Sequence, residues 1–387
     1  MTGAYRRPDR LCQATQHRAM VAVLAACAGL FSAVGRVSAG EQDVIVSVPL
    51  AERAAPVGET MFTSVPAQRT GVDFVHHWAP GASYEYQRQV QNAFGGGGVC
   101  VGDFDGDDRP DIYLTSPQGG NRLYRNLGDF RFQDVTDKVG LGAAHGGQAW
   151  GSGASFADVD NDSDLDLYVC GYDTPNRLYV NQGDGTFQES AAASGLAFHG
   201  ASVMMAFADY DNDGDLDGYL LTNRLTPPEN TKAQRSETRG RLVVAEHQRE
   251  AFDVIVRDHD RKGIVISAGQ FDHLFRNDGD GTFTDVTDES GITGNHYGLS
   301  ATWWDFNRDG YPDIYVANDF YGADRLYRNN KDGTFSDVAP NVLPHTPWFS
   351  MGSDVADINN DGRLDYMASD MAGSTHYKEK MSMGNMT

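Results

Sequence analysis

Short hydrophobic runs recur along the chain, and each one directly follows a cluster of aspartates. The runs are three residues long and rich in β-branched, aliphatic and aromatic side chains, as at 112–114, 167–169 and 314–316. Runs of this kind between turn-forming residues are typical of strands, and they lack the 3.6-residue periodicity of a helix. The pattern therefore predicts an all-β protein built from short strands.

The hydrophobic runs belong to a repeat of about fifty residues. Each copy opens with a nine-residue acidic loop and continues through the hydrophobic run. Most copies go on to a string such as Arg122-Leu-Tyr-Arg-Asn126, a glycine turn and a string such as Phe283-Thr-Asp-Val-Thr287. Four short strands per copy are typical of one β-propeller blade, so we expect about five blades. The acidic loops begin at Asp103, Asp158, Asp209, Asp305 and Asp357.

The acidic loops place oxygen ligands at fixed positions. Positions one, three, five and nine carry a carboxylate or a carboxamide in all five copies. Ca²⁺ takes six to eight oxygens and suits a tight loop of this kind, whereas Mg²⁺ keeps several waters. We therefore expect about five structural Ca²⁺ ions, one in each loop. The predicted ligands are Asp103, Asp105, Asp107, Asp111, Asp158, Asp160, Asp162, Asp166, Asp209, Asp211, Asp213, Asp217, Asp305, Asn307, Asp309, Asp313, Asp357, Asn359, Asp361 and Asp365.

The five loops differ in ways that bear on affinity. A glycine at position six of loops three, four and five permits a positive-φ turn, whereas Asp108 and Ser163 stand there in loops one and two. Asn307 and Asn359 give loops four and five a neutral oxygen, which predicts weaker binding. Loop three, with four carboxylates and Gly214, is predicted to bind best. An EF-hand is excluded because its twelfth position needs a glutamate, and here that position lies inside a hydrophobic run.

Residues 1–39 are predicted to be a secretory signal peptide. Arginines such as Arg6 and Arg7 precede an apolar run at 20–34, and small residues follow as far as Ala39. A lipoprotein cleavage box ending at Cys27 is the alternative. Residues 40–60 are predicted to be a linker and residues 61–387 the propeller. We expect a secreted, periplasmic or cell-surface protein with no stable membrane insertion after signal cleavage.

The long spacing between loops three and four indicates an insertion at 224–269. It holds nine Lys and Arg against seven Asp and Glu, so it is locally positive. Residues 246–257 are predicted to form a helix because their apolar positions fall on one side. Two interpretations remain open for this segment. It is either a packed excursion from the third blade or a partner-binding surface.

The net charge and the remaining motifs exclude further classes of function. A formal net charge of −23 excludes nucleic acid as a partner, because such a surface repels phosphate. Cys100 and Cys170 lie in strand-like runs and are predicted to be free thiols. The sequence carries no catalytic signature, so we expect no enzyme activity. The histidines that could cluster at a propeller mouth are His76, His77, His145, His199 and His296.

Taken together, the repeated motifs resemble the FG-GAP/VCBS repeats of integrin α-subunit propellers. The order of glycine-rich segment, acidic loop, Arg-Leu-Tyr-Arg-Asn string and Gly-Asp-Gly-Thr-Phe-Thr-Asp-Val-Thr string is more specifically similar to the cartilage-acidic-protein-like (ASPIC/UnbV) family. The resemblance extends from about residue 61 to the end, and Gly71-Val72 matches the segment that closes each unit. It implies a secreted, Ca²⁺-binding propeller that serves as an adhesion or interaction module.

Two function classes follow from this resemblance and from the fold. The first is a non-enzymatic extracellular scaffold whose partner is an unknown protein or glycan. The second is a propeller-based extracellular enzyme that acts on polysaccharide, since propellers host many chemistries. The span from 61 to the end, without the insertion, accommodates roughly 5.4 blades. We therefore expect a C-terminally truncated part of a seven-bladed ring, and a small closed ring of five irregular blades is the alternative.

Overall fold

A computed structural model describes residues 63–76, 97–117, 120–142, 150–225, 232–238, 240–249, 251–257, 260–320 and 322–371. The predicted signal peptide, the lipoprotein cysteine Cys27 and the linker at 40–60 lie outside these residues. His77 and His145 lie outside them as well.

The repeats fold as consecutive antiparallel sheets, which are β-propeller blades. Blade one contains β1 (Val99–Gly102), β2 (Asp111–Leu114), β3 (Arg122–Asn126) and β4 (Phe132–Asp134). Blade two contains β5 (Trp150–Ala157), β6 (Asp166–Pro175), β7 (Arg177–Asn181) and β8 (Phe187–Glu189). Blade three begins with β9 (His199–Ala208) and β10 (Asp217–Thr222).

The insertion then contributes two hairpins before blade three resumes. They are β11 (Arg235–Thr238) with β12 (Arg241–Val244), and β13 (Phe252–Arg257) with β14 (Asp260–Ser267). Blade three ends with β15 (His273–Asn277) and β16 (Phe283–Asp285). Blade four contains β17 (Tyr297–Trp304), β18 (Asp313–Asp319), β19 (Arg325–Asn329) and β20 (Phe335–Asp337). The fifth unit has β21 (Ser350–Ala356) and β22 (Asp365–Asp370) within the described residues.

Blades two and three share one hydrogen-bonded sheet. Strand β6 extends beyond its own blade and pairs with the start of β9, where Tyr172 lies opposite Ala201 and Pro175 opposite His199. The result is an eight-stranded sheet, whereas blades one and four form separate four-stranded sheets within the described residues.

Hydrophobic cores fill the space between neighbouring blades. The tyrosines of the second strands, Tyr113, Tyr168, Tyr219 and Tyr315, are at most 1% exposed. Phe156 on β5 packs into the core around Tyr113, and Trp303 on β17 packs into the core around Tyr219. Because each blade contributes its flank to the core of its neighbour, the blades stabilise one another in chain order.

The insertion is not helical as predicted. Its described residues contain one short 3₁₀ turn, Glu246–Gln248, and residues 252–257 form strand β13 rather than the second half of a helix. The run Val254-Ile255-Val256 is β-branched, which lowers helix propensity and favours a pleated strand. A second run of the same character at 264–266 pairs with it in the register Val254 to Val265. The predicted apolar helix face is therefore one strand of a hairpin.

A glycine turn closes each unit and docks on the blade that follows. Gly71, Gly140, Gly195 and Gly291 all have φ between 76° and 90°. A Cβ on Gly195 would lie 2.7 Å from the carbonyl oxygen of Phe283, the first residue of β16. The other three glycines face Phe132, Phe187 and Phe335 in the same way. Gly71 thus takes the place of these closing glycines, and residues 67–70 before it form a four-residue helical turn, α1 (Ala67–Thr70).

Two further helical turns of four residues, α2 (Thr287–Ser290) and α3 (Ala339–Val342), follow the fourth strands of blades three and four. In the part of the chain that the structure describes, no helix is long and apolar enough to cross a bilayer. Cys100 and Cys170 are free thiols, as predicted, and burial raises the pKa of Cys100 to about 12.

Candidate metal centres

The acidic loops connect the first and second strands of each blade. In all five, the residue before the loop pairs with the ninth loop residue, for example Ala208 with Asp217 and Ala157 with Asp166. This register brings the first and the ninth loop residues to the same end of the hairpin. Strand pairing, rather than the loop itself, therefore sets the distance across the site.

Two left-handed residues turn each loop. Position six has φ between 63° and 97° in every loop, so Asp108 and Ser163 adopt the conformation of Gly214. Position four is left-handed as well, which the sequence analysis did not recognise. The glycine or asparagine found at position four in four of the five loops could have predicted this, since these residue types adopt the left-handed conformation at least cost. The position-four residues are Gly106, Asn161, Asn212, Arg308 and Asn360.

Backbone N–H groups fix the first and the ninth carboxylates. In loop three, Asp209 accepts from the backbone N–H of Asp213 at 3.1 Å and of Gly214 at 3.0 Å. Asp217 accepts from the N–H of Tyr210 at 3.1 Å and of Asn277 at 2.8 Å. The same bonds recur in all five loops. The first carboxylate accepts from the backbone N–H groups of positions five and six, and the ninth accepts from that of position two, with donor to acceptor distances of 2.6–3.2 Å. The two carboxylates are thus held before any ligand binds.

Three loops bring three carboxylates together. Oxygen atoms from positions one, three and nine lie within 4.8 Å of one another in loops one, two and three. The carboxylate at position five lies outside these groups, and its Oδ1 accepts the N–H of position seven, as Asp213 does from Asp215 at 3.0 Å. In loops four and five the side chains of Asn307 and Asn359 take position three. The three groups are Asp103 with Asp105 and Asp111, Asp158 with Asp160 and Asp166, and Asp209 with Asp211 and Asp217.

Burial makes charge at these sites costly. Desolvation raises the pKa of Asp111 and Asp313 to about 6 and of Asp166 and Asp217 to about 7. At position three, burial is again the largest cause that raises the pKa of Asp211, and repulsion from Asp213 adds to it. A dication among these oxygens would offset both the lost hydration and the repulsion.

The donor set fits a hard cation. All the converging atoms are oxygens, and Asp105 Oδ1 is buried without a hydrogen-bond partner among the described residues. A buried orphan oxygen beside two further carboxylates is what a cation would coordinate. Ca²⁺ in loops one to three would therefore be held by the residues at positions one, three and nine.

Cationic side chains form ion pairs with the carboxylates of two loops. Arg125 forms ion pairs with Asp105 and, at 3.0 Å, with Asp107 in loop one, and Arg109 pairs with Asp107 as well. Lys331 Nζ lies 3.3 Å from Asp309 Oδ2 in loop four. In blade two the residue that corresponds to Arg125 is Val180. Loops two and three show no such ion pair at their ligand positions within the described residues.

An asparagine in the third strand links each of blades two, three and four to the acidic loop of the blade before it. Asn181 Nδ2 donates to the carbonyl oxygen of Phe104 at 2.8 Å, and Asn329 Nδ2 donates to that of Tyr210 at 2.8 Å. The acceptor is position two of the preceding acidic loop in each case. This asparagine ends every Arg-Leu-Tyr-Arg-Asn string of the sequence. Its hydrogen-bond partner could not be predicted, because the partner belongs to another repeat.

The candidate histidines have separate local partners. His296 lies 2.9 Å from Arg325, and burial, followed by the charge of Arg325, lowers the pKa of His296. His199 Nε2 lies 3.6 Å from Asp173 Oδ1. Elsewhere, Arg224 stacks 4.0 Å above the ring of Tyr297.

A known repeat family matches the repeats of this chain. The model of the FG-GAP-like repeat matches residues 103–169, 158–220, 252–316 and 305–368, more than half of the chain. Cartilage acidic protein 1 of Mus musculus is 25% identical over 67% of this chain and 35% of its own length. The Homo sapiens protein of the same name is 28% identical over 44% of this chain and 23% of its own length. The chain thus spans about a third or less of these curated relatives.

Among solved structures, an Agrocybe aegerita lectin that recognises non-reducing terminal N-acetylglucosamine covers 63% of this chain and 65% of its own. It is 20% identical, with a TM-score of 0.29.

Proposed function

Because this chain belongs to the FG-GAP-like repeat family, we propose that it is a secreted, calcium-stabilised β-propeller that acts as a non-enzymatic interaction scaffold outside the cell. One observation carries the proposal. Three loops present three carboxylates within 4.8 Å of one another, at the same register of three different blades.

The calcium ions would be structural. In each loop the first and the ninth carboxylates flank the turn between two strands. In loops one to four the ninth also accepts the backbone N–H of the third strand, as Asp217 does from Asn277. An ion between them would join three strands of one blade. Since the coordinating oxygens come from the loop itself, calcium binding and blade stability are coupled.

Export is the second part of the proposal. The basic start, apolar run and small residues before Ala39 are typical of a cleaved signal, and similarity to cartilage acidic protein 1 supports a location outside the cell. Mass spectrometry of exported protein should find an N terminus near residue 40. An intact Met1 on the exported protein would contradict this part, and an acylated Cys27 would favour the lipoprotein alternative.

A scaffold role is consistent with how the carboxylates are used. Those of positions one and nine already accept two backbone N–H groups each in loop three. Groups fixed in this way position a cation and support strands, whereas acid or base catalysis needs a carboxyl that faces substrate. The partner would be an extracellular protein or glycan.

The calcium proposal is tested by titrating chelator-stripped protein in a calorimeter. We expect about five bound Ca²⁺ per chain, and a stoichiometry of one or fewer would overturn the assignment. Asp209→Ala should lower the melting temperature by several degrees in calcium and change it little in excess chelator, where the site is already empty. Asp288→Ala is the matched control, because it removes an exposed aspartate of the same blade outside the loops.

A further inference from the structure

The insertion and blade three enclose an open pocket of about 690 Å³. One side consists of β12, β13 and the turn between them, and the other consists of the residues that lead into β9, β15 and β17. None of the acidic-loop ligands lines it. The volume lies in the range of small-molecule sites, which are commonly about 300–1,000 Å³.

The two walls of the pocket differ in chemistry. The insertion wall is mainly apolar and includes Leu242, Val244 and Phe252. The propeller wall carries polar groups, among them Gln270 and Asn295. The pocket therefore suits a ligand with one apolar face and one polar edge.

Two side chains on the pocket lining have unused hydrogen-bonding capacity. Asn295 makes no side-chain hydrogen bond within the described residues, and neither does Arg249 on the insertion side. Gln270 Oε1 accepts the backbone N–H of Ala201, which fixes the carboxamide and leaves Nε2 as a donor. Gln270 and Asn295 thus offer donors and acceptors on the propeller wall, and Arg249 offers donors on the insertion wall.

Aromatic side chains provide flat surface beside the polar groups. Phe271 lines the pocket and is 56% exposed, which is unusual for a large aromatic residue. The rings of Phe198 and His273 lie 4.6 Å apart on the same lining. An aromatic ring in reach of solvent can pack against the C–H face of a ligand while neighbouring groups bind its hydroxyls.

The propeller side of the pocket is pre-formed. A Cβ on Gly269 would lie 2.3 Å from the carbonyl oxygen of Asn295, so the two segments touch. Gln270 N–H donates to Asn223 at 2.7 Å, and Asp272 N–H donates to Gly294 at 2.9 Å. Because this wall is held by backbone hydrogen bonds to blades three and four, little ordering would be lost on binding.

We propose that this pocket binds a short saccharide. A pyranose ring has an apolar C–H face for Phe271 and the insertion wall, and a rim of hydroxyls for Gln270 and Asn295. A phosphorylated ligand fits less well, because the lining carries the acidic Asp253 as well as Arg249 and the protein is strongly acidic. This inference rests on the proposed scaffold role and names the class of ligand.

The test is binding of the calcium-loaded protein to an immobilised panel of neutral and uronate-containing oligosaccharides, with short peptides as a comparison set. We expect at least one saccharide to bind, with Phe271→Ala weakening it at least tenfold. Phe130→Ala is the matched control, because Phe130 is also exposed, at 69%, and lies in blade one outside the pocket lining. This control should bind as the wild type does.

A second variant guards against indirect effects. Val243→Trp places a large ring on the insertion wall and should abolish binding while the melting temperature stays near that of the wild type. Failure of every saccharide to bind, binding of peptides alone, or full binding by both pocket variants would overturn the inference. Failure of the calcium titration leaves the pocket assignment intact. Cleavage of a bound saccharide, seen by mass spectrometry, would instead refute the non-enzymatic role.

Discussion

The side-chain amide of Asn277 donates a hydrogen bond of 2.8 Å to the carbonyl oxygen of Val159, which lies 118 positions earlier in the chain. Asn277 is the last residue of a third strand in blade three, and Val159 is the second residue of the acidic loop in blade two. The same atom pair links Asn181 to Phe104 and Asn329 to Tyr210. One carboxamide in each of blades two, three and four therefore ties that blade to the acidic loop of the blade before it.

Asn277→Ala should destabilise the protein by about 1–3 kcal/mol, because it leaves the buried carbonyl of Val159 without its partner. Urea unfolding of the wild type and the variant measures the difference. Asn126→Ala is the matched control, since Asn126 Nδ2 donates to Pro110 of its own loop at an exposed position. Equal losses in both variants would show that the link between blades contributes nothing.

Asp272 predicts a measurable pH dependence of stability. It is 3% exposed, and burial raises its pKa to about 7 in the folded protein. Because the folded state then binds a proton more strongly than the unfolded chain, stability from this group falls as pH rises from about 4 to 7. The slope should reach about 1.4 kcal/mol per pH unit.

Replacement of Asp272 tests this directly. The corresponding residue in blade two is Asn176, whose Nδ2 donates to Tyr168 at 2.9 Å, whereas Asp272 accepts from Tyr219 at 2.8 Å. Asp272→Asn should remove the slope and raise stability at pH 8, and Asn176→Asp should introduce a slope of the same sign. Unfolding free energies measured at several pH values in excess calcium, with no difference in slope among the three proteins, would contradict the assignment.

Because of Arg125, we expect loop one to bind calcium more weakly than the carboxylates of the loop would allow. Its ion pairs with Asp105 and Asp107 partly neutralise the negative charge that attracts a cation to this loop. Arg125→Val, which copies Val180 of blade two, should strengthen binding at this loop roughly tenfold, about the free energy of one partly shielded charge pair. Calcium titration should show the gain, and Asp103→Ala should abolish it when the two changes are combined.

Replacement of Gly195 measures how much the closing turn contributes to the stability of the protein. Gly195→Ala places a Cβ at φ 78° and 2.7 Å from the carbonyl of Phe283, and should cost about 2–4 kcal/mol. Gly185→Ala is the control, since Gly185 has φ 80° but no atom within 4 Å of its Cβ position, and should cost about 1–2 kcal/mol. Thermal unfolding that gives equal losses would show that contact with the next blade is unimportant.

Short-range features of this fold could be predicted from the sequence. The acidic loops, the strands that follow them and the closing glycine at Gly71 depend on a few neighbouring residues, and their repetition averages out local ambiguity. The amide of Asn277 could not be assigned, because its partner depends on how two blades stack. The helix predicted at 246–257 was wrong because its apolar spacing suited either structure, and pairing with β14 decided between them.

The site was predictable to a similar extent. The twenty predicted ligands follow from a regular spacing, and the structure groups positions one, three and nine in three loops. The carboxylate at position five lies outside these groups and accepts a hydrogen bond from the backbone N–H of position seven. This arrangement depends on the backbone geometry of the loop. The pocket beneath the insertion has no linear signature, because its lining comes from residues between Phe198 and Asn295 that meet only after folding.

The pairing of β6 with β9 makes the boundary between blades two and three mechanically different from the others. Separating these two blades requires breaking a strand-to-strand pairing, whereas the other boundaries in the described chain are joined by hydrophobic cores and by single hydrogen bonds such as that from Asn329 to Tyr210. Under tension, the boundaries on either side of this pair would therefore separate first. Blades two and three would remain joined as one load-bearing unit, with the insertion still attached to it.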